Sequence, residues 1–77
     1  MDDNEGWIKC SDRMPEEHAF GSTKGWTRSD KVEITLYNAA KERNEVDMDF
    51  TDNGKWAWHW GSKIIAWRPL PEPYKGA

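Results

Sequence analysis

Val46-Asp47-Met48-Asp49-Phe50-Thr51-Asp52-Asn53-Gly54-Lys55-Trp56-Ala57-Trp58-His59-Trp60 is the stretch whose reading decides the fold. Apolar and polar side chains alternate on both sides of the turn-forming pair Asn53-Gly54, as expected for strands with one buried side. Val46, Met48 and Phe50 form one apolar row; Trp56, Trp58 and Trp60 form the other. The stretch reads as a β-hairpin, and its loop length sets which residues face each other. A two-residue loop at Asn53-Gly54 would pair Asp49 with Trp58 and Met48 with His59, mixing the two faces. A three-residue loop Asp52-Asn53-Gly54, with Gly54 in the left-handed bulge position, sets Phe50 opposite Trp56, Met48 opposite Trp58 and Val46 opposite Trp60. Every pair is then apolar, so this is the register the sequence predicts.

The same period of two extends in both directions. In Lys31–Tyr37, Val32, Ile34 and Leu36 lie on one side and Glu33 and Thr35 on the other. The link Asn38–Asn44 allows Leu36 to face Val46, Ile34 to face Met48 and Val32 to face Phe50, with a helical turn in the link. A two-residue Gly61-Ser62 loop sets Trp58 against Ile65 and Trp56 against Trp67. These rows predict a mainly β domain, α+β if the short helical turns form: an antiparallel meander of four strands with its aliphatic and indole groups on one face. Burying one such side chain contributes roughly 1.5–3 kcal/mol, so the face needs a cover. Trp7, Met14, Phe20 and Trp26 are the expected cover.

The N-terminal third has weaker patterning. Residues 1–6 read as a disordered tail, Trp7–Cys10 as a short strand, and Ser11–His18 as a capped helical turn with Pro15 near its start. Phe20–Asp30 reads as a loop anchored by Trp26. The proline-rich end from Arg68 is expected to run extended around the sheet, because proline lacks the ladder donor. The domain assignment is a single small β domain over residues 7–74, with a tail at 75–77.

At 77 residues and 9.0 kDa there is room for one small core. Six tryptophans supply apolar area that a chain with 32% charged residues would otherwise lack. The single cysteine, Cys10, excludes an intramolecular disulfide and suits a reducing compartment. The acidic start has no basic segment or apolar run of a signal peptide, and no 18-residue apolar stretch occurs, so a cytoplasmic protein without a membrane span is expected. Net charge is −3 and the cations are scattered, which disfavours phosphate binding.

Two groups of residues carry functional expectations. Alternating indoles can stack on bases or sugars, and Trp26 and Trp60, in a loop and at a strand end, are the expected exposed pair. The rest read as core, since they share a face with aliphatic residues. On the opposite side the predicted register gathers Glu33, Asp47, Asp49 and His59 into an acidic outer face. Such a face is either a solvated surface or a contact for a basic partner. Its carboxylates have no calcium-loop spacing, so no metal is expected. No nucleophile motif or histidine pair at ligand spacing occurs, so neither enzyme activity nor a cofactor is expected.

Trp7-Ile8, then Ser11-Asp12-Arg13-Met14-Pro15-Glu16-Glu17, a Val-x-Ile-x-Leu-Tyr strand, and finally Trp67-Arg68-Pro69-Leu70-Pro71-Glu72-Pro73 together resemble the phage and prophage family catalogued as domain of unknown function 551. Ala66 and Arg68 stand where members typically carry histidine and methionine. The resemblance implies a small accessory protein of a temperate phage acting in the host cytoplasm, and it transfers no catalytic residue. Combined with the acidic face, it leads to the expectation of a non-enzymatic protein that binds a host or phage protein through Glu33, Asp47, Asp49 and His59. It would thereby modulate or inhibit a host process, such as a nuclease-based defence of the CRISPR kind. The alternatives are nucleic-acid or glycan binding through Trp26 and Trp60, and a structural oligomerisation domain.

Overall fold

A computed structural model describes residues 6–21, 25–59, 62–71 and 76. The described residues form eight strands: β1 (Ile8–Lys9), β2 (Glu17–Ala19), β3 (Thr27–Ser29), β4 (Val32–Asn38), β5 (Arg43–Asp49), β6 (Thr51–Asp52), β7 (Lys55–Trp56) and β8 (Lys63–Pro69). They make two four-stranded antiparallel sheets, ordered β1-β8-β4-β5 and β2-β3-β6-β7. The mainly β expectation holds; the single meander does not. The chain leaves the first sheet after β5, builds the β6–β7 hairpin of the second, and returns as β8 along the far side of β4. Trp56 and Trp58 therefore never pair with β8.

The register of the β4–β5 hairpin explains most of the difference. Ile34 faces Asp47, Val32 faces Asp49 and Thr35 faces Val46, one residue away from the predicted pairing. Because side chains alternate, a one-residue slip turns the whole strand over. The loop sets this register. Residues 39–42 turn with Glu42 at φ 53, and the Asn38 side chain holds both ends: it accepts from Lys41 N (3.1 Å) and donates to Glu45 (3.0 Å). In the next hairpin the two-residue loop, disfavoured by the apolar rows, is the one that forms. Asn53 at φ 51 and Gly54 at φ 84 give the left-handed pair that matches strand twist, and Thr51 faces Trp56.

The core is small. Val32, Ile34 and Trp67 are buried, with Ile8, Cys10, Leu36, Trp56 and Ile64 packed against them. In β8 an extra residue at Ile65 separates the pairs Thr35–Ala66 and Leu36–Ile64, so Ile64 rather than Ile65 enters the core. The Trp67 indole N–H donates to the Arg13 carbonyl at 2.8 Å, which ties the N-terminal segment to the core. That segment makes no helix: Asp12 N and Arg13 N turn back to the Lys9 carbonyl, and Met14, preceding a proline, is restrained to extended conformations. Glu17–Ala19 then pair with β3, a strand inside the stretch expected to be a loop. Glu17 stitches the second sheet together, accepting from Thr27 Oγ1 (2.5 Å) and Gly54 N (2.7 Å).

Candidate functional site

Asp49 ends β5 with its side chain on the core side of the sheet, at 0% exposure. A buried carboxylate is costly unless its lone pairs are filled. Here they are: Asp49 accepts from Phe50 N (2.7 Å), Trp58 N (3.0 and 3.1 Å), His59 N (3.0 Å) and His59 Nδ1 (2.9 Å). The Trp58–His59 backbone is thereby pinned beside the end of β5. His59 Nε2 meets Asp47 Oδ2 at 3.1 Å, and Asp47 Oδ1 accepts from Met48 N at 2.8 Å.

This sandwich favours the imidazolium, because a neutral ring has one N–H donor and would set a lone pair against one of the carboxylates. Burial lowers the His59 pKa, but the hydrogen bonds to Asp49 and Asp47 and the charges of both carboxylates outweigh it, and the net shift is upward. The Met48 amide, followed by the His59 hydrogen bond, lowers that of Asp47. With both ring nitrogens engaged, His59 acts as a clamp. Cys10 is also a poor nucleophile: burial raises its pKa above the ordinary thiol value, outweighing a backbone hydrogen bond.

The clamp presents Trp58, which is 56% exposed. Its ring meets Phe50 edge-on at 5.1 Å between centroids, and the Lys31 ammonium lies 5.1 Å from its centre. On the other side of this row the Arg28 guanidinium lies over both Phe50 (4.9 Å) and Phe20 (3.8 Å) and pairs with Asp52 at 3.1 Å. Aromatic rings and cations thus alternate from Lys31 through Trp58, Phe50 and Arg28 to Phe20.

The residues expected to form one acidic face are divided. Asp47, Asp49 and His59 meet, but on the core side, with Asp49 buried. Glu33 points to the opposite side of the sheet, where Arg68 Nε donates to it at 2.7 Å. Of the expected stacking pair, Trp26 is exposed ahead of β3, and Trp60 lies outside the described residues.

The other side of the first sheet holds what the sequence reading missed. Val46 and Met48 are 61% and 43% exposed there, beside Tyr37, Thr35 and Asn44. Where β8 bulges, a depression of about 310 Å³ is lined by Trp7, Lys9, Thr35, Asn44, Ile65 and Ala66. Arg68 lies 4.4 Å from the centre of the Trp7 ring and closes the edge of this face. The signal available in the sequence was Asn53-Gly54, the pair most suited to a two-residue hairpin loop, whose register does not set the two apolar rows against each other.

A larger cleft, about 630 Å³, opens where the N-terminal segment meets the end of β8, bordered by Arg13, Met14, His18, Lys31, Trp67 and Leu70. Its charges are mixed, since Glu16 and Asp30 also line it. Among the described residues, no three His, Cys, Asp or Glu side chains are arranged to hold a metal ion.

The model of one family, protein of unknown function DUF551, matches residues 6–75, nearly the whole chain. The chain belongs to the DUF551 family. The match covers every strand of both sheets, so the clamp and the open face both lie within the DUF551 domain. No curated protein and no solved structure matches the chain.

Proposed function

We propose that this DUF551 protein is a non-enzymatic interaction module that binds a host or phage protein through the open face of the β1-β8-β4-β5 sheet and thereby modulates a host process. The observation that carries the reading is the outward row of Val46 and Met48. An antiparallel sheet with one face on the core ordinarily turns polar groups to water. Here the strand turns its carboxylates toward the clamp and its apolar groups outward, an arrangement suited to covering by a partner. The phage setting, the cytoplasmic location and inhibition of a defence system rest on the family resemblance and belong to the same proposal.

The test is affinity capture from host lysate with the wild-type chain, a Val46→Lys/Met48→Lys variant and Trp58→Ala. The reading expects proteins held by wild type and Trp58→Ala and lost by the double variant. Equal capture by all forms contradicts it. A second reading, stacking on a nucleic acid or glycan, is favoured by Trp58, an exposed indole beside the Lys31 ammonium; it expects capture to fail with Trp58→Ala and fluorescence to quench on adding oligonucleotide. Self-association through the open face would appear as a concentration-dependent dimer in sedimentation.

A further inference from the structure

The open face differs in charge from the molecule as a whole. The chain carries −3 overall, yet among the described residues the pairings place Lys9, Lys63 and Arg68 on this face with Glu33 as the one carboxylate. Glu33 and Arg68 neutralise each other. Lys9 and Lys63 make no ion pair among the described residues, so the face retains their positive charge. The carboxylates of β5 are turned away: Glu45 meets Lys41 and Arg43, Asp47 meets His59, and Asp49 is buried.

We infer that the open face takes an acidic protein segment bearing apolar side chains, with Val46, Met48 and Tyr37 meeting the apolar groups and Lys9 and Lys63 meeting the carboxylates. The inference rests on the open face being the contact surface, and it reverses the charge expected of the partner. Complementary charge across an interface steers encounter and excludes partners of like charge. The depression beside Trp7 is a seat for one large apolar side chain, with Lys9 at its rim to meet a neighbouring carboxylate. A phosphate backbone fits less well, because tracking it takes a stripe of cations, whereas here Val46, Met48 and Tyr37 stand exposed on the same face.

The test titrates the isotope-labelled full chain with synthetic amphipathic peptides of leucine and glutamate, the matching peptides of leucine and lysine, polyglutamate, and a single-stranded oligonucleotide, following backbone amide signals. The Leu/Glu peptide is expected to move the signals of Lys9, Asn44, Val46, Met48 and Lys63. Its binding should weaken with salt and fall about tenfold or more in Lys9→Glu/Lys63→Glu. If the Leu/Lys peptide moves the same signals equally well, the charge inference is overturned while the open face stands as a contact surface. Equal binding by polyglutamate or by the oligonucleotide overturns the apolar or the protein part of it. If neither amphipathic peptide moves the open-face signals, this inference and the proposed contact surface both fail.

Discussion

Met48 and Asp49 are adjacent in the chain yet have opposite surroundings: Met48 is 43% exposed on the open face, and Asp49, at 0%, receives the backbone N–H groups of Phe50, Trp58 and His59. The inversion is stable because the carboxylate's hydrogen bonds offset its desolvation, and because the loop between β4 and β5, held by the Asn38 side chain, fixes the register. Asp49 is thus the element that links the two sheets at this corner.

Removing the Asp49 acceptor should therefore be among the most damaging single changes. Asp49→Ala leaves several donors unpaired and is expected to cost about 3–5 kcal/mol, comparable with the whole stability of a small domain. Asp49→Asn keeps one acceptor and should cost less. Denaturant unfolding measures both, and a wild-type midpoint for Asp49→Ala would contradict the role given to this carboxylate.

Two of the indoles expected in the core, Trp67 and Trp58, should behave differently. Trp67, buried and hydrogen-bonded to the Arg13 carbonyl, should cost about 3–5 kcal/mol on replacement by alanine. Trp58, mostly in solvent, should cost about 1 kcal/mol or less, chiefly its ring contact with Phe50. Thermal unfolding of the two variants decides the matter; equal losses would mean that Trp58 is core after all.

The clamp has a pH signature. The folded pKa of His59 lies above its ordinary 6.5, so its contribution to stability is fully present below pH 6.5 and is lost as pH rises through the folded value. Asp47 is held below its ordinary 3.8, so its contribution is present above pH 3.8 and is lost as pH falls through the folded value. The clamp is strongest between those limits. Urea midpoints measured across neutral pH should fall toward the alkaline side in the wild type and change less in His59→Gln. An imidazole titration midpoint below 6.5 would contradict the assignment.

Backbone geometry adds a further expectation at the β6–β7 turn. A Cβ at Gly54 would meet no atom within 4 Å, so Gly54→Ala should cost only the strain of φ 84, about 1 kcal/mol, with the fold intact. Amide exchange near Asn53 reports it, and a loss large enough to unfold the domain would show that the turn sits against something else.

Much of the fold was legible in local pattern. The period of two in Val32–Tyr37, in Val46–Phe50 and in the segment ending at Trp67 identified strands, and these became the seven-residue β4, β5 and β8. What misled was the assumption that apolar rows seek each other. That rule governs a strand whose apolar side is buried by its own chain; β5 instead buries a hydrogen-bonded carboxylate and exposes Val46. The partnering of β8 with β4 was not legible either, because strand order depends on where the chain goes after a turn, and Gly61-Ser62 suited a hairpin equally well. β2 and β3 were missed for their brevity, as three-residue strands show too little alternation to separate from loop.

The register of β4 against β5 is the central claim, and cross-strand nuclear Overhauser contacts test it most directly. The account predicts contacts of Thr35 with Val46 and of Glu33 with Met48, which place both apolar residues on the open face. Contacts placing Met48 opposite Ile34 and Val46 opposite Leu36 would contradict it, returning the apolar row to the core and removing the proposed binding surface.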